Sequence, residues 1–168
     1  MGEKAYAVIS LYSEWEEFSK KLMMTSAFLK PVTTSGLIVP RAPGIRSEQD
    51  FRAQIAVFYK RPGQNFAVAW GTPSKFIRLS LGLQLDNRNT LAAAMGSSTS
   101  PAENLRVYRN FLAHRNPGTA LQVRNLFPQI PLTAEAVIAW LAMLLPGGRS
   151  QFGVWCEDLS DVARACIR

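Results

Sequence analysis

Apolar positions near the N-terminus recur every three or four residues: Val8, Leu11, Trp15, Phe18 and Leu22. That spacing lays one stripe along a helix from about Glu3 to Lys30, with Glu14, Glu16, Glu17, Lys20 and Lys21 mostly off it. Core packing is the expected role of such a stripe, ahead of partner binding. From Pro31 to Arg46, Pro31, Gly36, Pro40, Pro43 and Gly44 break any regular element. Ser47 then offers an N-cap to a helix reaching about Tyr59, with Phe51, Ile55 and Phe58 as its buried face and Arg61-Pro62-Gly63 as its end.

The stretch Asn65 to Gly71 reads as a short strand or as an irregular connection. Beyond Pro73, Phe76, Leu79 and Leu83 fit a helical face, whereas Leu79, Leu81, Leu83 and Leu85 alternate as in a strand. Leucine's preference for helices tips the choice toward helix. Asp86-Asn87 interrupts it, a further helical turn or two runs through Met95, and Gly96 to Thr99 is a polar break. The next start signal is strong. Ser100 suits an N-cap, Pro101 the first helical position, and Glu103 completes a capping box.

That helix is expected to continue to about Arg115 and to stop at Asn116-Pro117-Gly118. Gly118 to Pro131 reads as a connection anchored by Leu121, Val123 and Leu126. Thr133 caps another helix that ends before Pro146-Gly147-Gly148. Its apolar residues, from Ala136 to Leu144, run nearly all round, as in a helix buried in a core or at a subunit contact. An amphipathic helix from about Gln151 to Ile167 closes the chain. The pattern predicts an all-α fold, a bundle of about five to six helices in one domain over residues 1–168, without internal repeats.

Composition narrows the class. The chain has 168 residues, 48% of them apolar, which is a globular composition at a one-domain length. Lys and Arg number 19 against 12 Asp and Glu, a net charge of +7. Such an excess attracts polyanions, nucleic acid foremost. The cations are spread from Lys4 to Arg168, so any basic surface must be assembled by folding. Cys156 and Cys166 lie ten residues apart in a helical segment, too far to pair within it, which fits a reducing compartment. No secretory signal is evident, and no apolar run approaches the ~20 residues of a membrane span. A soluble cytoplasmic protein without membrane association is expected.

The candidate chemistry lies in the stretch from Arg106 to Arg115. The only histidine, His114, is four residues after Asn110, so the two share a helix face, and Arg106 extends that stripe by another turn. Arg109 lies about 140° around the helix from His114 and must reach sideways toward it. Leu105, Tyr108 and Leu112 supply the opposite, buried flank. The run Arg109-Asn110-Phe111-Leu112-Ala113-His114 resembles the motif of the HEPN superfamily (higher eukaryote and prokaryote nucleotide-binding domains). Its ribonuclease members carry Arg, often followed by Asn, and then His after four to six residues. The detailed resemblance covers about Ser100 to Asn116; helix order and basic charge are compatible elsewhere.

The resemblance implies a metal-independent RNA endonuclease that uses no cofactor. The RNA 2′-OH attacks the adjacent phosphate and leaves a 2′,3′-cyclic phosphate and a 5′-OH. The residue types suit that reaction. A histidine, titrating ordinarily near ~6.5, moves protons near neutral pH. An arginine fork stabilises a phosphate gaining charge. His114 is therefore the expected general acid/base, Arg109 the transition-state stabiliser and Asn110 the orienting residue. Arg106 and Arg115 are expected to be RNA contacts or solvent-facing charges. The resemblance also implies a composite site in which two motifs face each other in a homodimer, and a toxin or defence effector with a neutralising antitoxin or regulatory partner.

Two other readings stand beside this one. A non-catalytic RNA- or nucleotide-binding module would use the same basic flank, with His114 as a phosphate contact. A structural or assembly protein would use its amphipathic helices and show no salt-dependent affinity for RNA. A lone histidine near a helix C-terminus also favours the helix dipole without any chemistry. Other constellations are weaker. A zinc site would need more than one His and two distant Cys. Glu157, Asp158 and Asp161 suit the N-terminal half of a helix better than a metal. Ser97-Ser98-Thr99-Ser100 reads as a polar loop and cap, and no phosphate-binding glycine motif is present.

Overall fold

The structure is a computed structural model. It describes residues 3–59, 68–97 and 99–168, with only the backbone at Thr99 and Ser100. Among these the fold is all-α: eight α-helices, no strand, and two isolated antiparallel bridges, Val32 with Ile38 and Leu144 with Ser150. The helices are α1 Glu3–Met24, α2 Glu48–Tyr59, α3 Pro73–Gly82, α4 Arg88–Ser97, α5 Thr99–His114, α6 Pro117–Leu126, α7 Ala134–Ala142 and α8 Gln151–Cys166. A π-helical turn, Thr25–Leu29, continues α1 to Lys30, which takes a left-handed conformation and ends the element.

Helix α5 is the hub. It packs against α1, α3, α4, α6, α7 and α8. Ala102, Leu105, Val107, Tyr108, Phe111 and Leu112 are all buried, so most of its circumference faces protein. Each leucine of this kind contributes about 1.5–3 kcal/mol through removal from water. Tyr108 anchors an aromatic cluster: it stacks on Trp140 at 5.4 Å between ring centroids, with Trp155 at 5.6 Å and Phe127 at 5.8 Å. These four rings tie α5 to α7, α8 and the segment after α6, through the large apolar area that aromatic side chains bury.

Local signals account for most boundaries. The Ser47 hydroxyl accepts the Asp50 N–H and the Asp50 carboxylate accepts the Arg46 N–H, closing the start of α2. That backbone bond from Arg46 also holds the Asp50 carboxyl below its usual range. Thr133 and Ser150 cap α7 and α8 through the N–H groups of Ala136 and Gly153. The leucine alternation after Pro73 resolves as helix: Leu79, Leu83 and Leu85 are buried and Leu81 is exposed. Leu79 belongs to the helix, Leu83 caps it, and Leu85 lies beyond it. Their alternate spacing therefore comes from the helix ending and not from a pleat.

Several expectations are corrected. The helix count is eight, above six, because Arg88–Ser97 forms a full helix of its own and the segment from Pro117 to Leu126 is also helical. Asn116-Pro117-Gly118 both stops α5 and starts α6. The Asn116 side chain accepts the Thr119 N–H at 2.9 Å, the Thr119 hydroxyl returns a bond to the Asn116 backbone, and Pro117 takes the first helical position. On α1 the buried line is Ala5, Val8, Tyr12, Trp15, Ser19 and Met23, with Leu11, Phe18 and Leu22 only half-buried. The helix is thus turned so that Tyr12 points inward. Phe58 is 41% exposed and lies across Gly82, where an added Cβ would come within 2.3 Å of its ring. Helix α7 stops at Ala142, and the apolar run beyond it leaves Met143 and Leu144 exposed. The Ser100 capping side chain, Arg61-Pro62-Gly63 and Asn65 to Ala67 lie outside the described residues. The described remainder of the ambiguous stretch, from Val68 to Gly71, is irregular.

Candidate functional site

The site is built on one side of α5, where it crosses α1 and α3. Arg106, Arg109 and Asn110 line a cleft of ≈ 310 Å³ together with Tyr12 and Glu16 of α1, and Ala69, Thr72 and Lys75 at and before the start of α3. Three of the chain's cations therefore converge there: two from the motif helix and one from α3.

Arg109 is the best-held of them. Its guanidinium carbon lies 5.9 Å from the centroid of the Tyr12 ring, a cation–π contact. One terminal nitrogen donates to the Asn110 side-chain oxygen at 3.1 Å. Its Nε is buried and has no hydrogen-bond partner among the described residues. A buried donor without an acceptor is costly. Arg106 is half-buried and paired with Glu103 at 2.9 Å, three residues earlier on the same helix, so its charge is partly neutralised.

Tyr12 is 3% exposed, and burial pushes its phenol well above the usual range. Glu16 adds to that shift, while Arg106 and the Thr72 side chain oppose it. The close approach of α1 to the segment before α3 depends on Gly71. A Cβ there would meet Glu16 Cγ at 2.7 Å and the Tyr12 ring and hydroxyl at 2.8 Å. The Trp15 indole N–H donates to the Gly71 carbonyl at 3.1 Å and fixes that approach. Absence of a side chain at Gly71 is thus what lets α1 and the entry to α3 close around the cleft.

The motif residues are not all brought together. Asn110 and Arg109 sit in the cleft, with Arg106 one turn earlier. His114 is the last residue of α5, is exposed, and does not line the cleft. Arg115 follows in a left-handed conformation (φ 42°), its N–H donating to the Phe111 carbonyl, and its side chain is exposed. The cleft and the histidine therefore occupy neighbouring parts of one helix, one inside a concavity and the other on an open surface.

Tyr12, Glu16, Thr72 and Lys75 escaped sequence reasoning. Glu16 and Lys75 look like ordinary surface charges, and only the packing of α1 and α3 onto α5 places them beside Arg109. Glu157 pairs with Arg149 and Asp161 with Arg164, and no His/Cys/Asp/Glu grouping among the described residues could hold a metal ion. Both cysteines are free. Burial raises the thiol of Cys156 and pushes that of Cys166 up to about 12. No described helix is long and apolar enough to cross a membrane. Comparisons with family models, with curated proteins and with solved structures gave no match.

Proposed function

We propose that the protein is a metal-independent RNA endonuclease of the HEPN type, acting as a homodimer. The observation that carries the reading is the Arg109 guanidinium. It is held over Tyr12 and against Asn110 in a cleft that it lines together with Arg106 and Lys75. A phosphate held there would meet a planar donor fork, the arrangement that best stabilises charge developing on phosphorus. Asn110 orients the fork. His114 lies four residues on, at the exposed end of the same helix, where it is free to move protons for the 2′-OH and the leaving oxygen.

The exposure of His114 also fits the composite site. A second copy docked against this end of α5 would bring its own His114 and Arg115 to the same RNA and enclose groups that a single chain leaves open. A role as toxin or defence effector, with a neutralising partner protein, rests on the motif resemblance alone. The test is cleavage of a labelled mixed-sequence RNA in excess chelator, with wild type beside His114→Ala. Wild type is expected to leave cyclic-phosphate ends; the variant is expected to bind RNA with unchanged affinity and to cut at least about a hundredfold more slowly.

One observation favours a second reading, a non-catalytic RNA- or nucleotide-binding module: His114 stands outside the cleft. Under that reading both proteins bind RNA alike and neither cuts it.

A further inference from the structure

We propose that the cleft seats a single nucleotide of the RNA and that Glu16 selects guanine there; this rests on the RNA reading above. The motif does not contain Glu16. It comes from α1, a turn beyond Tyr12, is half-buried, and lines the cleft together with Arg106, Arg109 and Lys75. Among the described residues its carboxylate makes neither a hydrogen bond nor an ion pair, although its neighbours Glu17 and Lys20 pair with each other on the outer face. A carboxylate left open inside a cationic cleft is out of place in a site that takes phosphate alone, because it repels the anion. It fits a site that takes an anionic group and a hydrogen-bond donor at once.

A nucleotide carries both. The cleft volume, ≈ 310 Å³, lies at the lower end of the roughly 300–1,000 Å³ range of small-ligand pockets and suits one nucleotide. With the phosphate on Arg109 and Lys75, the base is left to the carboxylate side. A carboxylate has two acceptor oxygens and, when ionised, no donor. Guanine presents two adjacent donors, N1–H and the N2 amino group, and can satisfy both oxygens. Adenine and cytosine offer one amino group beside a ring nitrogen acceptor, and uracil one N–H flanked by two carbonyls, so each sets an acceptor against the second oxygen. Unpaired bases in single-stranded RNA expose these edges.

The probes are three uridine-rich 2′-O-methyl oligonucleotides, identical except for guanosine, inosine or uridine at one central position. The methyl group blocks the nucleophile, so binding is read without cleavage. Fluorescence anisotropy with full-length protein should give about tenfold tighter binding of the guanosine oligonucleotide than the uridine one, the scale of one good bidentate base contact, with inosine between. Glu16→Gln removes a negative charge and so raises the background affinity for any oligonucleotide while removing the guanosine contact; the guanosine-to-uridine ratio is therefore the readout, and it should collapse toward one. Lys75→Ala should weaken all three and leave the ratio intact. Equal wild-type affinities, or a ratio that survives Glu16→Gln, overturn the assignment of guanine to Glu16 while leaving the RNA reading standing. Failure of wild type to bind any of the three overturns the RNA reading itself, and this proposal with it.

Discussion

Arg109 combines constraints that a lysine at the same position would not meet. Its guanidinium lies over the Tyr12 ring, one terminal nitrogen bonds Asn110, and Nε is buried. Lysine has one compact ammonium on a flexible stem, so it cannot hold the Asn110 contact and offer a second, parallel donor together. Arg109→Lys is therefore expected to retain charge and most RNA affinity but to lower single-turnover cleavage by about a hundredfold, the scale of one lost transition-state donor. A rate within threefold of wild type would reduce Arg109 to a point charge. Arg106 differs, since its pairing with Glu103 leaves it less to offer a phosphate. At this scale helix periodicity converts sequence separation into angle and puts Asn110 and His114 on one face, whereas Arg109 joins them only through the resemblance to the HEPN motif. Spacing could not report that His114 ends exposed while Asn110 ends in a cleft. That depends on which neighbours cover each turn of α5.

At the scale of elements, the turn between α5 and α6 sets where the motif helix ends. Asn116 and Thr119 cap α6 reciprocally, and Pro117 starts it, so α5 must finish at His114 with Arg115 in the left-handed region. Asn116→Ala removes the side-chain acceptor for the Thr119 N–H and is expected to cost about 1 kcal/mol, read as a lowered urea midpoint at constant slope. The cap is exposed, so the variant should still fold, and a loss below about 0.3 kcal/mol would mean that the α5–α6 contact positions the turn without it. The sequence Asn-Pro-Gly carried both meanings, a stop and a start. The next ten residues show only a thin apolar pattern, so the sequence shows the stop more plainly than the start. Val123 is fully buried while Leu121 and Leu126 remain exposed, so α6 is held by its cap and one anchor and not by a broad apolar stripe.

For the whole molecule, the proposed endonuclease reading divides its residues between two places. The cleft lies among α1, α3 and α5 of one chain, and His114 lies on its open surface. Under the composite-site reading, specific cleavage activity falls on dilution below the dimer dissociation constant. Sedimentation at the same concentrations should show the dimer dissociating in step. Activity independent of concentration in a monomeric sample would remove the second copy from the mechanism. The cationic cleft adds a further signature to the same titration: affinity should fall steeply as salt rises, because phosphate contacts release counterions.

The sequence by itself determined the all-α class and most helix positions. These follow from short-range physics: apolar periodicity, capping side chains and the breaking effect of proline and glycine act within a few residues. Only the tertiary structure decided which face of α1 turns inward, and with it the burial of Tyr12 beneath Arg109. It also decided that Gly71 lets Glu16 and Tyr12 close over the entry to α3, and that Lys75 joins a cleft whose other cations lie on α5. These residues are far apart in the chain and carry no shared local pattern. Their meeting is set by the packing of three helices around one core, where close contact between side chains, and not spacing along the sequence, selects the arrangement.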